Sequence, residues 1–340
     1  MNKKCLNFII FAAVAIILAA IAAAVIIPDK TDSAVPAVYI VYGSEKGDLS
    51  YTDAAYRGLM AAQNDSDFNI KEFVPDDYET LPGILERTNA SEKPCLVITV
   101  GFQYANFTQQ LAEQYPDIQF LAIDQTGIGS KNLKAYEIVS YGDSYLAGVL
   151  AASASKTDNV GIILGMKTDL LDVFLKGYTN GVLAVNSSVS VSHAYVRQNS
   201  TDGFSDPDEA EKIAEGMYLN GTDVIYTCAG YSNMGAFDAA KKEAGRYVIG
   251  TDSDQTMFGP DVVLASALKR VDIVVYNEIK EHLNGSFTGG EEVAGLKDGA
   301  TGIVYNPKFE FYNETVSIRE DKAKAEEDKF LLLRSSSVEK

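Results

Sequence analysis

The chain has 340 residues, which at about 150 residues per domain points to two domains. With 46% hydrophobic and 22% charged residues it has the composition of a globular protein, not of a disordered one. A net charge of -18 argues against the basic stripe that a nucleic-acid partner requires, and two separated histidines, His193 and His282, argue against a His-rich metal site.

The first element is an unbroken apolar run, Phe8–Ile27, of 20 residues. Lys3 and Lys4 precede it, and Pro28, Asp29 and Asp32 follow. It is longer than the apolar part of a cleavable signal and matches the roughly 20 residues that span a bilayer. The positive flank belongs on the cytoplasmic side, which sends the rest of the chain outside. The expectation is therefore a protein at the extracytoplasmic face of the cell membrane, tethered by this segment; cleavage near Ala22–Ala24 would instead release it. Cys5 precedes the run, where a lipoprotein cysteine would follow it. Residues 30–36 are a polar spacer. Asn-x-Ser/Thr sequons begin at Asn64, Asn89, Asn106, Asn186, Asn199, Asn220, Asn284 and Asn313, so an exported chain could carry glycans there.

From residue 37 strands and helices alternate. Strand AVYIVYG (37–43) is followed by a helix from Tyr51 to about Gln63 and a short helix, Leu81–Arg87, that Thr80 would cap. Then come strand LVITVG (96–101), helix Tyr104–Gln114, and strands QFLAID (119–124) and AYEIVSY (135–141). A second set begins with helix Ser144–Ala154, strand NVGIILG (159–165), helix Leu170–Val185 and strand SVSHAYV (190–196). Asp206-Pro207 opens a helix to Leu219; DVIYTCAG (223–230), helix Met234–Glu243 and YVIGTD (247–252) follow. The late elements, strand VVLASAL (262–268), helix Val271–Leu283 and strand GIVYN (302–306), read as material exchanged between two lobes. Continuous apolar strands joined by helical crossovers predict parallel sheets covered on both faces. The expected class is α/β, two doubly wound lobes. One lobe would comprise residues 37–143 and 269–285, the other 144–268 and 286–310. Residues 1–36 would form the anchor and spacer, and 311–340 a charged tail with a peripheral helix.

Ligands of such sheets gather at the carboxyl ends of strands. Here those ends carry Gly43 to Tyr51, Gly101 to Tyr104, Asp124, Gly165 and Met166, Ala229 to Asn233, and Asp252 to Gln255. Carboxylates accept hydroxyl hydrogens and aromatic faces stack on rings, so the set suits a neutral, polyhydroxylated ligand with a flat part. Cys95 and Cys228 lie in apolar, strand-like runs and read as small buried residues; three cysteines make no disulfide framework. No phosphate-cradling glycine motif occurs. No cofactor and no metal is expected.

The string GDLSYTDAAYRGL (47–59) resembles the opening D-x-S-F-N-x-x-x-[WF]-x-G pattern of the basic membrane protein family of ABC-importer substrate-binding proteins. FLAID (120–124), SYLAGVLAA (144–152), GMKTDLLDVFLKGYTNGVLAVN (165–186), VIGTDSDQ (248–255), ALKRVDIVVYNEI (267–279) and GLKDGATGIVY (295–305) match the family in order. The resemblance covers roughly residues 37–306. It implies a type I periplasmic-binding-protein fold with a hinge and an interlobe cleft, a purine nucleoside or nucleoside-like small molecule as ligand, ABC permease subunits as partners, and a monomer. Other members of the family are described only as lipoproteins or sensors.

Carried over residue by residue, the resemblance places Asp48 and Thr52 in the opening motif, Thr52 standing where the family usually has Asn. Tyr51 and Tyr56 hold its two aromatic positions, and Tyr56 would stack on the base. Asp124 would hold ribose hydroxyls, with Asp252 as a second acceptor. Gly230 and Tyr231 lie at the opposite rim, Phe102 at the near one, and Lys269 matches a lysine that reaches into the cleft. Replacing Asp124 or Tyr56 by Ala should then weaken binding and leave folding intact. Structural roles stand beside each: Tyr56 as core, Asp48 as a helix cap, Asp124 and Asp252 as turn formers, Phe102 as packing, and Lys269 with Arg270 and Asp272 as a hinge ion-pair cluster. Two rival classes remain, a sensing ectodomain and a hydrolase using Asp124 and Asp252 as paired carboxylates.

Overall fold

The computed structural model describes residues 35–75, 77–88 and 95–338. The apolar run Phe8–Ile27, Cys5 and the sequon at Asn89 lie outside the described residues. Twelve strands are described: β1 Ala37–Val41, β2 Asn69–Phe73, β3 Cys95–Val100, β4 Gln119–Ile123, β5 Leu133–Ile138, β6 Asn159–Leu164, β7 Ser190–Tyr195, β8 Val224–Cys228, β9 Tyr247–Asp252, β10 Val263–Lys269, β11 Gly290–Ala294 and β12 Thr301–Tyr305. They form two six-stranded sheets, ordered β11-β5-β4-β3-β1-β2 and β12-β10-β9-β8-β6-β7. All neighbours are parallel except β10 and β12. The two orders correspond strand for strand, so β4 and β9 hold equivalent places.

The helices are α1 Tyr51–Asp65, α2 Leu81–Thr88, α3 Ala105–Gln114, α4 Gly142–Ala154, α5 Asp169–Val185, α6 Pro207–Leu219, α7 Asn233–Lys241, α8 Val271–Leu283, α9 Asn313–Ser317 and α10 Glu320–Val338. Each sheet is covered on both faces, which is why its central strands are apolar throughout. Val38 and Ile40 of β1 enter one core with α1 and α8, while Tyr39 and Val41 enter another with Leu81 and Leu111. Burial at about 25 cal/mol per Å² on both faces makes these strands the most strongly specified elements. In the second sheet α4 and α5 cross at close range. A Cβ built on Gly148 would lie 2.1 Å from the Tyr178 carbonyl oxygen, and one on Gly181 2.0 Å from that of Tyr145. Only glycine admits this approach.

The chain crosses between sheets three times: after β5, after β10, and between β11 and β12. Two edge strands carry no apolar run and were not among the predicted elements. β2 (NIKEF) and β11 (GEEVA) each have one neighbour and largely solvated side chains. β11 also corrects the expected partition, since residues 290–294 pair with β5 in the first sheet while 286–310 were assigned to the second lobe. The C-terminal tail forms a largely exposed helix that is pinned to the body along one side. In α10, Ala323 is fully buried, Phe330 stacks on Tyr141 with centroids 4.8 Å apart, and Arg334 makes two 2.6 Å bonds to Glu137 of β5. Glu327 accepts from Gly142 N at 2.7 Å and Leu296 N at 2.8 Å. Burial nonetheless pushes its carboxyl up to about 7.

Candidate ligand-binding site

The carboxyl ends of the two sheets enclose a cavity of about 120 Å³, room for one compact small molecule. Two of its three acidic groups come from equivalent places. Asp124 directly follows β4, and Asp252 ends β9; both have left-handed backbones, φ 57° and 64°. Asp tolerates this conformation better than most residues, and such strain gathers at functional sites. The turn aims both carboxyls off the sheet ends into the cavity.

Asp124 is the centre of a buried cluster. Its Oδ2 accepts from the Tyr51 hydroxyl at 2.7 Å and lies 2.9 Å from Lys269 Nζ. Its Oδ1 accepts from Ile138 N at 3.1 Å. Lys269 ends β10 and also donates to the Ile138 carbonyl at 2.8 Å, so the second sheet's lysine reaches the end of β5 in the first. The ammonium sits 5.5 Å from the Phe174 ring centroid, within cation–π range. Asp252 accepts from the Ser50 hydroxyl, across the sheets. Burial raises its carboxyl to about 6.

Loops from the two sheets also bond directly. Gln255 Nε2 donates to the Leu49 carbonyl at 3.2 Å, the Ser253 hydroxyl to the Ser50 carbonyl at 3.2 Å, and Arg57 to Ser253 Oγ at 2.7 Å. With these bonds made, the cleft is closed.

Seven of the ten sequence-predicted residues line the cavity: Asp48, Tyr51, Phe102, Asp124, Gly230, Asp252 and Lys269. Asp48, however, holds the start of α1, accepting from Ser50 N at 3.0 Å, Thr52 N at 2.7 Å and Asp53 N at 3.0 Å. Burial raises its carboxyl against the pull of these donors. Its oxygens are engaged by backbone, the helix-capping role. The other three lie off the cavity lining. Thr52 is fully buried, its hydroxyl 2.7 Å from Ser44 Oγ. Tyr56 packs against the core of the first sheet, with Lys46 Nζ 4.6 Å from its ring. Five residues along a helix turn the side chain about 140°, so Tyr51 and Tyr56 cannot share the cavity face. Tyr231 is 40% exposed; Gly230, at φ 56°, meets the cavity and the next side chain turns to solvent.

The aromatic and apolar walls come instead from Phe102, Leu170, Leu171, Phe174 and Phe204. Phe174 stands one turn inside α5, capped by Thr168, on the face of Leu170 and Leu171. Strand-end logic extended to the first turns of helices would have found it. Phe204 comes from a short 3-10 turn, Thr201–Phe204, that carries no sequence signal. It packs over Gly165, where a Cβ would lie 2.4 Å from the ring. Cys228 lines the cavity floor, and burial pushes its thiol up, away from a reactive thiolate. Among the described residues no cluster of His, Cys, Asp or Glu is arranged to hold a metal ion, and no helix is long and apolar enough to cross a membrane.

Two lobes of parallel-dominated α/β sheet, closed on one small cavity at their strand ends, are the architecture of a solute-binding protein of the periplasmic-binding type. The structure is similar to that of an ABC transporter system solute-binding protein from Aeropyrum pernix K1, with a TM-score of 0.72 at 26% identity over 87% of this chain and 86% of the other. In sequence it is 30% identical to the ABC transporter nucleoside-binding protein BmpA of Lactococcus lactis subsp. cremoris, over 88% of this chain and 87% of the relative. It is 27% identical to basic membrane protein A1 of Borrelia garinii subsp. bavariensis, over 82% of each. Residues 35–331 match the family described as ABC transporter substrate-binding protein PnrA-like, and the chain belongs to that family.

Proposed function

We propose that this protein captures a nucleoside, a purine nucleoside foremost, and hands it to an ABC permease at the extracytoplasmic face of the membrane, to which the segment Phe8–Ile27 tethers it. The observation that carries the reading is a cavity with two kinds of surface. Phe102, Phe174 and Phe204 offer apolar faces to a flat base, while Asp124, Asp252 and Lys269 offer buried charged partners to a sugar. A hydroxyl that loses water on closure needs such a partner, and a hydrogen bond to a charged group contributes about 1.5–3 kcal/mol. The nucleoside-binding relative from Lactococcus supports the same ligand class.

The site binds without reacting. Asp124 is tied to Lys269 and Tyr51, and Asp252 to Ser50, so each carboxylate holds the cleft with part of its acceptor capacity and keeps the rest for a ligand hydroxyl. The protein works as a monomer, closing over its ligand.

Mass spectrometry of small molecules released from the purified protein should find a nucleoside. Calorimetric titration with guanosine, adenosine, inosine, cytidine and uridine should give saturable binding, strongest for a purine. Failure of all five at millimolar concentration would remove the nucleoside reading. Free base and ribose appearing on incubation with inosine would replace it with a hydrolase. N-terminal sequencing of membrane-extracted protein should find residues 8–27 retained; a mature chain starting after residue 22 would refute the tether.

A further inference from the structure

We propose that the hydroxyl of Tyr51 selects the sugar, fitting the cleft to nucleosides of the 2′-deoxyribose class; this rests on the nucleoside reading above. The argument is a count of acceptor sites on Asp124. A carboxylate has about four lone-pair positions. Two donors converge on Oδ2, the Tyr51 hydroxyl at 2.7 Å and the Lys269 ammonium at 2.9 Å. Ile138 N takes one position on Oδ1 at 3.1 Å. One position remains.

A ribose cis-diol held by a single carboxylate donates two hydroxyl hydrogens, one to each oxygen. On Asp124 the second of these meets Oδ2, where Tyr51 and Lys269 already converge. Ile138 N cannot withdraw, because it belongs to the strand end. Lys269 cannot withdraw without leaving a buried ammonium bonded only to the Ile138 carbonyl. Tyr51 is the donor that competes with the ligand. Its ring is fixed in the first turn of α1, and burial beside Asp124 keeps the phenol protonated, hence always a donor. A sugar with a single secondary hydroxyl uses the remaining position and leaves the Tyr51 bond intact. A diol that lays both hydroxyls on Asp124 has to break that bond, and one that keeps it has to carry its second hydroxyl away from Asp124, to Asp252 or to no partner at all, the latter costly in a closed site.

The test is calorimetric titration of the full chain and of Tyr51→Phe with guanosine, adenosine and inosine and their 2′-deoxy counterparts. The wild type should bind each deoxynucleoside at least as tightly as its ribonucleoside. Tyr51→Phe should move the ratio by about fivefold or more toward the ribonucleoside, the net contribution of one hydrogen bond. A wild type that prefers the ribonucleosides by about tenfold or more overturns the proposal whatever the variant does. So does an unchanged ratio in a variant whose melting curve shows it folded. If neither series binds the wild type, the nucleoside reading itself has failed, an outcome distinct from a ribose preference.

Discussion

Lys269 Nζ lies 2.9 Å from Asp124 Oδ2, and both side chains are 2% exposed. This pair joins the last residue of β10 in the second sheet to the residue after β4 in the first. It is at once a wall of the cavity and a bond between the sheets.

The consequence is that these two residues cannot be replaced without cost to the fold. Removing one member of a buried pair leaves an uncompensated charge, at about 3–5 kcal/mol. Asp124→Ala and Lys269→Met should each lower the melting temperature markedly as well as weaken ligand binding. The sequence-based expectation that Asp124→Ala leaves folding intact is revised accordingly. The double variant Asp124→Leu/Lys269→Met should recover stability and not binding. Melts matching wild type in either single variant would contradict the pair's structural role.

Ligand affinity should depend on pH through Asp252, whose carboxyl burial raises to about 6. On the proposed reading, its ionised form accepts a ligand hydroxyl. Affinity should therefore be full above about pH 7 and weaken as pH falls through 6, approaching tenfold per unit. Asp252→Asn should abolish the dependence. A wild-type affinity that is flat between pH 5 and 7 would exclude Asp252 as an ionised acceptor.

Stability should move with pH in the opposite sense. Burial raises Glu327 to about 7, above its ordinary 4.5, and Asp252 to about 6, above its ordinary 3.8. A raised carboxyl favours the fold while protonated, so its contribution is present below the unfolded value and lost as pH rises through the folded one. His282, lowered by burial to about 4, acts the other way between about 4 and 6.5. With the carboxyls dominant, the melting temperature should fall from about pH 5 to 8. Glu327→Gln loses one backbone bond and should melt lower at pH 5, with a shallower decline. A decline as steep as wild type in the variant would show that Glu327 does not titrate in this window.

The α4–α5 crossing should be intolerant of any side chain. A Cβ at Gly148 or Gly181 would lie 2.1 or 2.0 Å from a facing backbone carbonyl oxygen, so the helices must part. Overpacking a core costs about 1–3 kcal/mol, and a backbone clash belongs at or above the top of that range. Gly148→Ala and Gly181→Ala should each show this in urea unfolding, whereas Gly216→Ala, with open space around it, should not. Equal stability of all three would refute the close crossing.

Features that depend on one segment and the faces it must bury can be read from the residues alone. Central strands such as AVYIV and CLVITV are apolar on both faces because both are covered, so the parallel sheets were legible. The ends of those strands located Asp124 and Asp252, and the Lys269 string resembled its family closely enough to be placed. Edge strands β2 and β11 were not legible, because a strand with one neighbour and solvated faces needs no apolar pattern.

Which neighbours of those residues face the cavity follows from the packing of distant segments. Tyr56 and Tyr51 look alike in the motif and both pack against the core of the first sheet, yet helix pitch turns only Tyr51 to the cavity and Asp124. Asp48 is drawn off by three backbone N–H groups of its own helix start. Tyr231 lost its place to Phe174 and Phe204, which lie 57 and 27 positions before it and reach the cavity through the packing of α5 and a turn held over Gly165. The cleft is an agreement among strand ends, helix starts and crossing segments far apart in the chain. The direction of a side chain within it is set by long-range packing that no local pattern of residues encodes.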